Sequence, residues 1–288
     1  MTTVESTSRH RPLVLLVEDV EESRRIRREL FESFDCTAVA VGSRSEAERE
    51  LAQTPRVDLV VTDIHMPETA SDSEDRSGID LARHVKQHFV GVPVAGYSAY
   101  FEGSDLGGAV DEVFDVIFRK GHTGGTNLES QIAECVTLAE GARDRRIAKY
   151  EDKLDDLRRR YESETPSVNV VRRLALDPDP AHSGMVEGPL GAAGYRLRLV
   201  SAQSINGAEP FVVWIRPEQD GIQAEVYGRP ELYSYGADEQ AALGNLGELM
   251  HLISQDEGAV GEGPSPGIRS LYDFLARILG TFRPSSGQ

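Results

Sequence analysis

Five short apolar runs, each separated from the next by polar or amphipathic chain, constrain the N-terminal part of this sequence more than any other feature. PLVLLV at 12–17 precedes ESRRIRRELFESF, CTAVAV at 36–41 precedes SEAERELAQT, and VDLVVT at 57–62 leads toward GIDLARHVKQHF, with VPVAGY at 92–97 and VFDVIF at 113–118 completing the set. Strands that are apolar at nearly every position must be covered on both faces. Helices between them supply that cover, which defines an α/β domain with a five-stranded parallel sheet. In open sheets of this kind, ligands bind beyond the carboxyl ends of the strands. The residues at those ends therefore carry the functional question.

A chain of 288 residues with 39% hydrophobic content is long enough for two domains with their own cores. Its formal charge is −17, and acidic residues outnumber basic ones in each of the segments 1–125, 126–165 and 166–288. No segment offers the basic footprint that nucleic acid requires. Cys36 and Cys135 are the only cysteines, each in an apolar periodic stretch, which suits buried thiols in a reducing compartment. There is no 18-residue apolar run and no apolar segment behind the polar N-terminus, so the expectation is a cytoplasmic protein without a membrane span or signal peptide.

Glu18 and Asp19 follow the first strand, Asp63 ends the third, Ser98 follows the fourth, and Lys120 follows the fifth. Three carboxylates converging on one edge repel one another unless a cation neutralises them, and hard oxygen donors suit Mg2+. An aspartate beside such a metal, with an amine and a hydroxyl to hold a transferred group's oxygens, can accept a phosphoryl group as an acyl phosphate.

LLVEDVEESRRIRREL, VVTDIHMPE, PVAGYSAY and FRKG together resemble the receiver domain of two-component response regulators over about the first 125 residues. The resemblance implies a flavodoxin-like fold in which Asp63 takes a phosphoryl group from a sensor histidine kinase or phosphotransfer protein. It further implies that Glu18, Asp19, Asp63 and the backbone carbonyl of His65 hold Mg2+, while Ser98 and Lys120 sense the phosphate. Two departures from the family pattern stand out: MPETASDSEDRSGID carries an insertion rich in Ser, Asp and Glu over 68–77, and Gly121 follows the lysine where the family has proline. His65 and Tyr100, each two residues beyond an active-site position, are bulky enough to screen the site from attacking water.

From Leu128 the chain is free of proline and rich in charge. Ile132, Val136, Ala139, Arg143, Ile147, Tyr150, Leu154, Leu157 and Tyr161 follow a heptad with one four-residue stutter. The expectation is a coiled-coil linker helix over 126–165 that pairs two copies into a homodimer. Beyond Pro166, YRLRLVSAQ, FVVWIRP and IQAEVYG read as strands and 238–254 as an amphipathic helix, giving a small α+β output domain over 166–260 and a tail with a short helix over 261–288. DGIQAEVYGRPELYSYGADEQAALGNLGEL resembles the HicB-like antitoxin fold, with Pro230, Glu231 and Leu232 read as a turn. The second domain shows no catalytic constellation. The reading is a phosphorylation-switched response regulator that is not itself an enzyme beyond its phosphoryl chemistry, with a protein-binding output and no nucleic-acid ligand expected. A transcription factor with an unrecognised DNA-binding element and an enzyme with its site in the second domain are the alternatives from other classes.

Overall fold

The computed structural model describes residues 11–66, 77–98, 112–120, 125–164, 176–202, 209–255 and 266–278. Of the insertion over 68–77 only Ser77 is described, and Tyr100 and Gly121 lie outside the described residues. The chain divides into two units, Arg11–Ile147 and Ala148–Gln288, the latter together with Met1–His10.

In the first unit, β1 (Leu13–Val17), α1 (Glu21–Ser33), β2 (Thr37–Val41), α2 (Arg44–Gln53), β3 (Leu59–Asp63), α3 (Ser77–His88), β4 (Val94–Ser98) and β5 (Val116–Arg119) lead into α4 (Gly125–Glu164). The strands form one sheet in the order β2-β1-β3-β4-β5, and every adjacent pair is parallel. This is the five-stranded parallel sheet expected from the apolar runs, and its order fits the flavodoxin-like fold that the receiver resemblance implies. β1 and β3 are buried at every position, as strands covered on both faces must be. On one face Val14, Leu16, Leu59 and Val61 pack with Phe31 of α1 and with Ile132, Cys135 and Ala139 of α4. Both cysteines are free and buried, and burial pushes each thiol up to about 12.

A buried ion pair ties α4 to the amino edge of this sheet. Asp58 accepts from the Leu13 N–H at 2.8 Å and from the Arg146 guanidinium at 2.8 Å, with side chains 0% and 7% exposed. Removing one partner of such a pair strands the other charge, at a cost of about 3 to 5 kcal/mol. Arg146→Ala should therefore lower the unfolding free energy of the first unit by roughly 3 kcal/mol. Denaturant titration followed by far-UV circular dichroism measures it, and a loss below ~1 kcal/mol would contradict the burial of the pair.

The second unit carries β6 (Leu176–Met185), α5 (Gly188–Ala192), β7 (Arg196–Ala202), β8 (Phe211–Glu218), β9 (Gly221–Val226), β10 (Arg229–Gly236), α6 (Glu239–Gln255) and α7 (Pro266–Ile278). The five strands form an antiparallel meander in the order β10-β9-β8-β7-β6. Val213, Ile215, Ala224 and Val226 pack with Leu243, Leu246 and Met250 of α6. Asp238 opens α6 by accepting from the Ala241 N–H at 2.8 Å.

Two expectations need correction, and one strand went unforeseen. The stripe on α4 read as the seam of a dimer is taken up by the chain's own cores: Ile132 and Ala139 are 0% exposed in the first, and Tyr150, Leu154 and Leu157 are each 5% exposed in the second. A heptad stripe needs only an apolar partner, and sheet and helix surfaces serve as well as a twin. Tyr161 lies outside the described side chains. Pro230, Glu231 and Leu232 are not a turn but lie within β10, where the register to β9 shifts between Arg229 and Tyr233. The chain reverses before them at Gly228, whose φ of 71° suits glycine. β6, whose sequence LDPDPAHSGM carries two prolines, had no strand signal at all; it is an edge strand with a register shift between Pro178 and Ser183.

Candidate phosphoryl-acceptor site

The parallel register delivers the acidic residues to one edge. Val17, the last residue of β1, pairs with Val41 and Thr62, Asp63 pairs with Tyr97, and Ser98 pairs with Arg119. Glu18 and Asp19 therefore emerge beside the end of β3, and Lys120 emerges beside Ser98. The Lys120 N–H donates to the Ser98 carbonyl at 2.6 Å, and the Glu18 N–H to the Val41 carbonyl at 3.1 Å. Arg24 donates to the carbonyls of Glu18 at 2.6 Å and Asp19 at 3.3 Å, which fixes the turn between β1 and α1.

One carboxylate oxygen from each of Glu18, Asp19 and Asp63 lies within 4.8 Å of the other two. Glu18 is 0% and Asp63 6% exposed, and Ser98 is fully buried. Lys120 Nζ bonds Asp63 Oδ2 and stands 3.1 Å from Glu18 Oε2, with its side chain 20% exposed. The His65 N–H donates to Asp63 Oδ1 at 3.2 Å. Glu18, Asp19, Asp63 and Lys120 thus come together at one edge, with the Ser98 backbone beside Lys120. Three oxygen donors this close, two of them buried, fit a small divalent cation.

The sequence reading missed Arg27. Its guanidinium bonds Glu18 Oε2 while Cζ sits 4.3 Å from the centroid of the Tyr97 ring. The signal was present, because position 27 lies four residues before Phe31 and so shares the buried face of α1. A second unrecognised group is a polar strip on the second unit's sheet: Arg216 pairs with Gln223, and Trp214 with Glu225, so all four share one face. Arg216 lies 3.2 Å from Glu218, and the Gln223 amide donates to Glu225 at 3.0 Å. Alternation along β8 and β9 marks these positions, but nothing in the sequence says that they are buried to between 0% and 6% exposure.

Gly78 makes the acceptor strand possible. A Cβ there would stand 1.9 Å from the Asp63 carbonyl oxygen, so α3 approaches β3 on a bare backbone. Beside it the buried Ser77 hydroxyl donates to the Met66 carbonyl at 2.7 Å. Gly78→Ala should destabilise the first unit by about 1 to 3 kcal/mol and impair labelling at Asp63. A variant with native stability and labelling would show that this approach is not tight.

An acid cluster with an amine at the carboxyl edge of a parallel sheet has the chemistry to accept a phosphoryl group. Residues 14–121 match the response regulator receiver domain, and the N-terminal unit is such a receiver. Among curated proteins none matches the chain. Solved structures similar to it include a Francisella response regulator receiver domain at 19% identity, covering 45% of this chain and 97% of that one with a TM-score of 0.37. A CheY-like receiver domain from Methylobacillus flagellatus is 23% identical, covering 44% and 99% with a TM-score of 0.36. The response regulator protein TrrA from Thermotoga maritima, in complex with Mg2+ and BeF, is 20% identical, covering 43% and 98% with a TM-score of 0.36.

Proposed function

We propose that the chain is a cytoplasmic response regulator switched by acyl-phosphate formation at Asp63, with its second unit as the output. The observation that carries this reading is the bond from Lys120 to Asp63 within a cluster that also includes Glu18 and Asp19. An Asp63 oxygen forms a bond to the phosphorus of a phosphohistidine donor as the N–P bond breaks; the imidazole nitrogen keeps the electron pair and takes up a proton. Lys120 moves from the carboxylates to an oxygen of the transferred group, and the Ser98 hydroxyl donates to another. Glu18, Asp19, Asp63 and the backbone carbonyl of His65 would hold Mg2+, which when bound would supply positive charge where acceptor and phosphoryl oxygens crowd. Water attack on the phosphorus later restores the carboxylate. Sensor histidine kinases or phosphotransfer proteins are the donors of matching chemistry.

The output reading rests on the second unit's form. β9, β10 and α6 occupy the segment read from the sequence as HicB-like, and the role proposed for this unit is to bind a protein partner. Among the described residues no helix is long and apolar enough to cross a membrane. Incubating the full chain with a radiolabelled small acyl-phosphate donor and Mg2+ tests the switch. Label should appear, be removed by neutral hydroxylamine, and be absent in chelator. Label that resists hydroxylamine, or none at all, would overturn the reading.

A further inference from the structure

We propose that Arg27 is a built-in counter-cation of the acid cluster, a positioning residue that sets how tightly the receiver takes a divalent ion; the inference rests on the reading of Glu18, Asp19 and Asp63 as a cation site. Two cations meet Glu18. Lys120 stands 3.2 Å from Oε1 and 3.1 Å from Oε2, and Arg27 bonds Oε2. They differ in freedom: the Lys120 side chain is 20% exposed and lies just beyond a strand end, whereas that of Arg27 is 11% exposed, comes from within α1 and packs over the Tyr97 ring. Lys120 can leave Glu18 for an incoming phosphoryl oxygen. Arg27 cannot do so without abandoning a buried aromatic face.

Two consequences follow from that fixed charge. Without an ion, the three clustered carboxylates face two cations, so the pocket is nearly neutralised by the chain itself. With an ion, one oxygen of Glu18 stays engaged by Arg27 and only the other faces the cluster. A positive charge this close to the cluster also repels a divalent ion directly. Arg27 thus weakens ion binding relative to the same carboxylates without it, and holds Glu18 in one orientation while doing so. The position lies on the helix face that also buries Phe31, where an apolar side chain would serve packing alone.

Isothermal titration of the full chain with Mg2+ tests this, with Arg27→Met and Arg27→Gln as neutral variants and Arg27→Lys retaining charge. Methionine is an uncharged, unbranched side chain that packs well against aromatic rings such as Tyr97; glutamine keeps a donor to Glu18 should methionine compromise folding. Circular dichroism identifies which variants are folded. Each folded neutral variant should bind Mg2+ about tenfold more tightly than wild type, and Arg27→Lys should stay within about threefold. A purely structural role would leave affinity in folded variants unchanged or lower it, and either result overturns the proposal. Wild-type chain that binds no Mg2+ would overturn the cation site itself, and the role of Arg27 with it.

Discussion

Asp63→Asn should reduce labelling by an acyl-phosphate donor to background, because among the described residues it is the carboxylate bonded by Lys120 at the end of the central strand. The amide preserves shape and the bond from the His65 N–H while removing the nucleophilic oxygen, so loss of label with a native circular dichroism spectrum isolates the chemistry. Lys120→Ala should slow labelling by roughly 10²- to 10³-fold without abolishing it, since it removes an electrostatic partner of the transferred group and not the acceptor. Label persisting on Asp63→Asn would place the acceptor elsewhere.

Leu154→Lys with Leu157→Lys should unfold the second unit while leaving the receiver able to take phosphate. Both leucines are 5% exposed in a core shared with Val213, Leu246 and Met250. Losing a buried leucine costs about 2 to 5 kcal/mol, and the substituted ammonium adds a desolvation cost, so two such changes exceed what most small domains can withstand. Trp214, the only tryptophan, lies in this unit and reports on it by fluorescence. Its emission should shift to that of exposed indole. Native Trp214 emission together with a halved particle mass would instead mean that the stripe joins two chains.

The receiver was legible because its signals are local and redundant. Apolar runs define buried strands, and the parallel register then has no choice but to bring Glu18, Asp63 and Lys120 to one edge. Arg27 escaped because charge at a helical position reads as solvated, and only the tertiary neighbours Glu18 and Tyr97 reveal it as buried. The stripe on α4 was visible, but its partner was not: a heptad specifies an apolar face and says nothing of what covers it. β6 was invisible since two prolines mask a strand whose pairing to β7 runs along only one side. Pro230 misled in the opposite sense, a turn residue accommodated on an edge strand beside a register shift.

Helix α4 serves two cores and belongs wholly to neither. The first takes Ile132, Cys135 and Ala139 from it, and the second takes Tyr150, Leu154 and Leu157. Neither unit therefore ends in a loop at the helix. A fragment cut before Gly125 lacks a covering helix on one sheet face, and one that begins after Glu164 lacks three large buried side chains of its core. The separation that respects both cores falls inside continuous helix, between Ile147 and Ala148. Exchange of receivers between proteins at the customary loops would be a poor route to working hybrids of this chain; the helix must be inherited in halves, each with the core that it completes.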